Sequence, residues 1–162
     1  MTRWLDEDEQ RTWRSFLTAS TLLWDRVERQ LQQEAGLPHA YYEILVRLSE
    51  APGRTLRMSR LATSALSSRS RISHAVARLE EAGFVRRTPC PEDRRGLNAE
   101  LTEAGFARLQ EAAPGHVETV RDVLFDQLDP AQTAALREIS DRLTAHLAAT
   151  PPWPVSDDTA AP

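Results

Sequence analysis

The chain has 162 residues, of which 41% are hydrophobic and 27% charged, with a net charge of −4 and a pI near 5.6. Such a chain is long enough to bury a real core, which excludes an intrinsically disordered segment, and its acidity excludes a wholly basic nucleic-acid coat protein. A lone cysteine, Cys90, excludes an internal disulfide and a cysteine-built zinc cluster.

Apolar positions Trp13, Phe16, Leu17, Leu23, Trp24, Val27 and Leu31 recur at three- and four-residue spacing. They predict one long helix from about Asp8 to Ala35, stopped by Gly36. Pro38 suits a first helical turn, and a second helix is predicted from there to Glu50, with Tyr41, Ile44, Leu45 and Leu48 on its buried stripe. Ala51-Pro52-Gly53 reads as a turn. A short helix over Met58–Ser64 follows, with Met58, Leu61 and Ala62 inward. After a turn at Ala65-Leu66-Ser67 comes a helix over Ser68–Ala82, closed by Gly83.

Phe84–Thr88 and Leu97–Leu101 have strand character, and Pro89–Gly96 between them is a polar loop. Together they predict a two-stranded hairpin with a charged tip. Thr102 can cap the next helix, which should reach about Leu128 and be kinked or interrupted at Pro114-Gly115. Asp129, Pro130 and Gln132 make a helix start, for a last helix reaching about Ala149. From Thr150 onward the composition predicts a disordered tail. The acidic run Asp6–Glu9 reads as a frayed, solvated helix start, not as paired catalytic carboxylates. The opening residues lack the apolar core of a signal peptide, and no run approaches the roughly 18 apolar residues of a membrane span. A cytoplasmic protein is expected.

Charge is unevenly spread. Ten of the twenty arginines lie between Arg54 and Arg95, with only four acids among them, and the chain has no lysine. A basic stretch in an acidic protein marks where a polyanion docks. On the helix from Ser68, the residues Ile72, Val76 and Leu79 form the buried stripe. The opposite face presents Ser70, His74 and Arg78, flanked by Arg71, with Ser68 and Arg69 at its start. These residue types hydrogen-bond base edges and phosphates. Such a face is more often merely solvated. Here a short helix precedes it, and a hairpin carrying Arg94 and Arg95 follows, which favours duplex DNA.

Three segments carry a family resemblance: Leu79-Glu80-Glu81-Ala82-Gly83-Phe84-Val85-Arg86-Arg87, then Asp93-Arg94-Arg95-Gly96, then Leu101-Thr102-Glu103-Ala104-Gly105. In this order and separation they resemble MarR-type winged-helix transcription regulators, and the likeness extends over about residues 8 to 149. The fold implied is mainly α with a small β-hairpin wing: an N-terminal dimerisation helix (1–36), a winged helix-turn-helix lobe (37–101), C-terminal dimerisation helices (102–149) and the tail (150–162). By resemblance Asp93 orients the wing arginine, and Arg95 contacts the DNA backbone or minor groove. The resemblance also implies a homodimer on a palindromic operator, repressor-type regulation, and a small aromatic effector bound between the dimer helices and the DNA-reading lobe.

Val117, Val120, Leu124 and Leu128, then Leu136, Ile139, Leu143 and Leu147, are the expected dimer stripe, unless they pack on each other within one chain. Trp13, Trp24, His39, Tyr41 and Tyr42 are the effector candidates, against an ordinary core role. Cys90 in the wing raises the question of thiol sensing, although a lone cysteine is ordinarily incidental. His39, His74, His116 and His146 are spread over different elements, so neither a metal site nor a catalytic triad is implied. No enzyme and no cofactor are expected. The competing readings are a winged helix used for protein contact and a non-specific architectural DNA binder.

Overall fold

In the computed structural model of the protein, Asp6 opens the longest helix, α1 (Glu7–Ala35), with a reciprocal cap. The Glu9 amide donates to Asp6 Oδ1 at 2.8 Å, and the Asp6 amide donates to the Glu9 carboxylate at 3.0 Å. The acidic run is therefore an ordered capping box rather than a frayed end. The structure describes residues 1–91 and 93–148, with Arg94 and Arg95 described for backbone only; the predicted tail lies outside the described residues. No helix among them is long and apolar enough to cross a membrane.

Only the second half of α1 is buried, at Val27, Gln30, Leu31 and Ala35. Trp13, Phe16, Leu17 and Trp24 share its apolar spacing, yet all are exposed. Gly36 at φ 59° ends the helix. In α2 (His39–Glu50), Tyr42, Ile44, Leu45 and Leu48 are buried, while Tyr41 is only partly covered. Pro38 offers α2 no side-chain cap. Instead the His39 amide donates to the Glu28 carboxylate of α1 at 2.9 Å.

A 3₁₀ turn over Pro52–Arg54 leads into β1 (Thr55–Arg57), a strand that the sequence pattern does not predict. Three residues carry no alternation to read, and pairing with a distant strand creates it. Then come α3 (Met58–Ser64), α4 (Arg69–Glu81), β2 (Val85–Cys90) and β3 (Asp93–Leu101). The sheet is antiparallel in the order β1-β3-β2, with Ala99 of β3 facing Leu56 on one side and Arg87 on the other. The expected two-stranded hairpin is thus three-stranded, and its strands run into the segment expected as loop. Pro89 fits because β2 is an edge strand, and the register shifts just after it.

The segments Leu79–Arg87 and Leu101–Gly105 meet in a latch. Gly83 turns the chain at φ 76°. The Thr102 amide donates to the Phe84 carbonyl at 3.0 Å, and the Thr102 hydroxyl donates to the Gly83 carbonyl at 2.7 Å. That hydroxyl also accepts the Gly105 amide at 3.0 Å, capping α5 (Glu103–Val123). A Cβ at Gly105 would lie 2.1 Å from the Phe84 carbonyl oxygen, so the helix can approach the strand only as glycine.

Of the kink or interruption expected at Pro114-Gly115, the interruption does not occur: α5 runs through Pro114 and ends at Val123, short of the expected Leu128. Its packing on α1 is close: a Cβ at Gly115 would lie 2.4 Å from a Glu34 carboxylate oxygen. Tertiary packing holds the turn that proline weakens. A 3₁₀ turn over Phe125–Gln127 precedes α6 (Pro130–Ala148), which opens as predicted. The Gln132 amide donates to Asp129 Oδ1 at 2.8 Å, and the Asp129 amide donates to Gln132 Oε1 at 2.9 Å. The core gathers Leu31, Leu45, Leu48, Leu61, Val76 and Leu79 with Val85, Ala99 and Leu109 of the sheet and α5. α6 contributes no buried residue to it.

Candidate nucleic-acid interface

The turn between α3 and α4 is tight. The Ser67 amide reaches back to the Ala62 carbonyl at 3.0 Å, and Leu66 takes a left-handed φ of 47°. This fixes α4 against α3. Ile72, Ala75, Val76 and Leu79 are buried beneath it, and Arg69, Ser70, Arg71, His74 and Arg78 are exposed on its outer side. The expected reading face is therefore assembled as one surface. Ser73 belongs to it as well; its spacing from Ser70 was the signal that could have found it. Ser68 also caps the helix: its hydroxyl accepts the Arg71 amide at 3.3 Å at the start of α4.

Among the described residues, Arg54, Arg57, Arg78, Arg86 and Arg87 are tied to acids of the same lobe. Arg54 bonds Glu103 at 2.9 Å and stacks 3.7 Å over the Phe106 ring. Arg57 pairs with Asp93, Arg78 with Glu81 at 2.8 Å, Arg86 with Glu100 at 2.5 Å and Arg87 with Glu80 at 2.5 Å. Hydrogen bonds from Arg87 and Arg86 hold the Glu80 and Glu100 carboxyls below their ordinary range. Counting charge along the chain misses this, because Glu100 and Glu103 lie outside the basic stretch but reach it in space. Among the described residues, the Arg60 and Arg71 side chains have no acid partner, which leaves Arg71 as the open cation of the reading face.

In the wing, Asp93 bonds Arg57 at the end of β1. The side chains of Arg94 and Arg95 lie outside the described residues. An open cleft of about 280 Å³ sits beside this pair, lined by Arg57, Ser59, Arg69, Ser73, Arg87 and Gly96 among others. Cys90 is half-buried at the end of β2.

Of the effector candidates, Trp24, His39 and Tyr42 come together where α1, α2 and α5 meet. Trp24 and His39 lie 5.0 Å apart edge to face. His116 of α5 completes the group, 4.6 Å from Tyr42 and 6.2 Å from His39. The histidines are therefore not all scattered, as the sequence implied: the topology joins two from helices far apart in the chain. Among the described residues no three metal-ligating side chains cluster. Trp13 stands apart, stacked on Phe16 at 6.3 Å, and Tyr41 makes no ring contact among the described residues.

Burial pushes the His116 pKa down, with His39 adding to the effect and Glu43 opposing it; burial pushes Tyr42 up. His116 Nδ1 is buried without a hydrogen-bond partner. Below about pH 6.5 the unfolded chain then takes up this proton before the folded one does. The stability contribution is present above that pH and is lost as pH falls. His116→Gln is expected to flatten the fall in Tm between about pH 7 and pH 5 relative to the parent. Parallel Tm profiles would show that this imidazole titrates as freely folded as unfolded.

The expected dimer stripe divides. Val120 packs partly against the core, and Leu124 and Leu128 are half-covered. Val117, Leu136, Ile139, Leu143 and Leu147 are exposed, so α5 and α6 do not bury these positions on one another within the chain.

Residues 35–96, which span α2 to the first part of β3, match the MarR family. The transcriptional regulator PecS of Dickeya dadantii is 32% identical over 133 residues, 81% of this chain and 79% of PecS. Sco3205, a MarR family transcriptional regulator from Streptomyces coelicolor crystallised in complex with DNA, is 51% identical and superposes with a TM-score of 0.91 over 94% of this chain and 98% of its own. AbsC, another MarR family regulator of that organism, gives 44% identity and a TM-score of 0.88 over 92% of this chain and 100% of its own. Latch, reading helix and three-stranded wing share one framework with these proteins, and the chain belongs to the MarR family of transcriptional regulators.

Proposed function

We propose that the protein binds duplex DNA as a homodimer on a palindromic operator and represses transcription there. The observation that carries this reading is the outer face of α4. Arg71, His74, Ser70 and Ser73 stand exposed above a fully buried apolar stripe, on a helix rigidly joined to the wing. In this arrangement α4 enters the major groove and the wing reaches the adjacent minor groove. Residues 37–101 form the reading lobe. Residues 1–36 and 102–149 supply the dimer contacts, which draw on the exposed stripe of α6 and the exposed first half of α1. The protein works in the cytoplasm by binding and release, without catalysis.

A small aromatic effector is proposed to bind at Trp24, His39 and Tyr42, where a change in the α1–α2 junction alters the spacing of the two reading helices. Quenching of tryptophan fluorescence by phenolic compounds, lost in Trp24→Phe, is the expected signature.

Sequencing the DNA that co-selects with the protein yields the operator. Anisotropy titrations of that operator and of a scrambled duplex at one salt concentration then test the reading. Arg71→Ala and Arg95→Ala are each expected to weaken operator binding by about 1–3 kcal/mol. Equal affinity for both duplexes would replace sequence-specific reading with an architectural role.

A further inference from the structure

We infer that the cleft between α4 and the wing seats the sugar–phosphate strand that separates the two grooves, with Arg57 as its phosphate contact and Asp93 as the residue that positions Arg57. The inference rests on the DNA-binding reading above. A helix in the major groove and a wing in the neighbouring minor groove must straddle one backbone strand, so whatever lies between them faces phosphates.

What lies there suits that anion. Arg57 ends β1, Ser59 lies in the first turn of α3, Arg69 and Ser73 belong to α4 and Arg87 to β2, all lining one open cleft. Three guanidiniums and two hydroxyls are donor groups of the kind that bind phosphate oxygens. Asp93 is bonded to Arg57, and Glu80 holds Arg87. A guanidinium has five N–H donors in a fixed fork, so a carboxylate on one side leaves others for a second anion. Glycine at position 96 is part of the device. A Cβ there would lie 3.2 Å from Asp93 Oδ2 and 3.3 Å from an Arg57 Nη atom, so a side chain would push the pair by a few tenths of an ångström.

Arg57→Gln is expected to weaken operator and scrambled duplexes alike, by about three- to tenfold, and to lower the slope of log affinity against log salt by about one. Duplexes carrying a single uncharged methylphosphonate at each successive position locate the contact. The one that bridges the two grooves should weaken the parent protein but leave Arg57→Gln unchanged. Asp93→Asn should weaken binding while the parent salt slope is kept. Should Arg57→Gln unfold, Ser73→Ala leaves the ion pair intact and should lose its coupling to the same phosphate. If the parent binds DNA and Arg57→Gln keeps its salt slope, with a loss that adds to those of every methylphosphonate, or if Arg57→Gln unfolds and the loss in Ser73→Ala adds in the same way, Arg57 is only a strut and the cleft is not a phosphate seat. If the parent binds no duplex at all, the DNA-binding reading fails with it.

Discussion

Ile139→Asp combined with Leu143→Asp is expected to leave a folded monomer whose operator affinity is reduced by about 10²–10⁴-fold. The two side chains are 56% and 45% exposed within one chain, so carboxylates there face water and cost the isolated fold little. In a helical interface related by a twofold axis the same carboxylates lose their hydration and face each other, which is costly. The operator loss follows from geometry. Two reading lobes on one palindrome bind with the advantage of a tethered second contact, and a monomer forfeits it. Light scattering gives the assembly state, and a melting curve checks the fold. A dimer that survives with unchanged affinity would move the interface off α6.

Gly105→Ala is the substitution expected to damage the fold most for its size. The added carbon would lie 2.1 Å from the Phe84 carbonyl oxygen and 2.8 Å from Leu101 Cδ1. The carbonyl cannot retreat freely, because it accepts the Thr102 amide in the latch. Overpacking of this kind costs about 1–3 kcal/mol or more, and each kcal/mol lowers Tm by about 2–4 °C in a protein of this size. The latch also joins the wing to α5, so the reading lobe loosens with it. Gly36→Ala is the contrast. Nothing lies within 4 Å of its Cβ position, and only the left-handed φ of 59° is strained, at about 1–2 kcal/mol. A Gly105→Ala protein that melts with the parent would refute the close approach.

Much of this architecture is legible where local chemistry alone decides. The caps at Thr102 and Asp129, the stop at Gly36 and the inner stripe of α4 follow from residue type and spacing, and each appears as expected. What fails depends on contacts between distant segments. β1 exists because β3 pairs with it. Pro114 stays helical because α1 packs beside it. Arg86 and Arg54 lose their availability to Glu100 and Glu103, which a charge count along the chain treats as separate. The apolar spacing of α1 runs unbroken from Trp13 to Leu31, and periodicity cannot say that only its second half meets the core. His116 joins His39 for the same reason: helices that are remote in sequence cross there. Ser73 is readable from spacing alone, whereas Arg57 at the wing becomes visible only once the strand order is known.

The amide of His39 offers a gauge of movement. Its proton is held by a carboxylate borrowed from another helix, Glu28, since Pro38 supplies none. Any tilt of the long helix that draws this acceptor away strips the first turn of α2 of its anchor. The exchange rate of that one proton therefore serves as a built-in strain meter: slow when the two arms are in register, faster as they part.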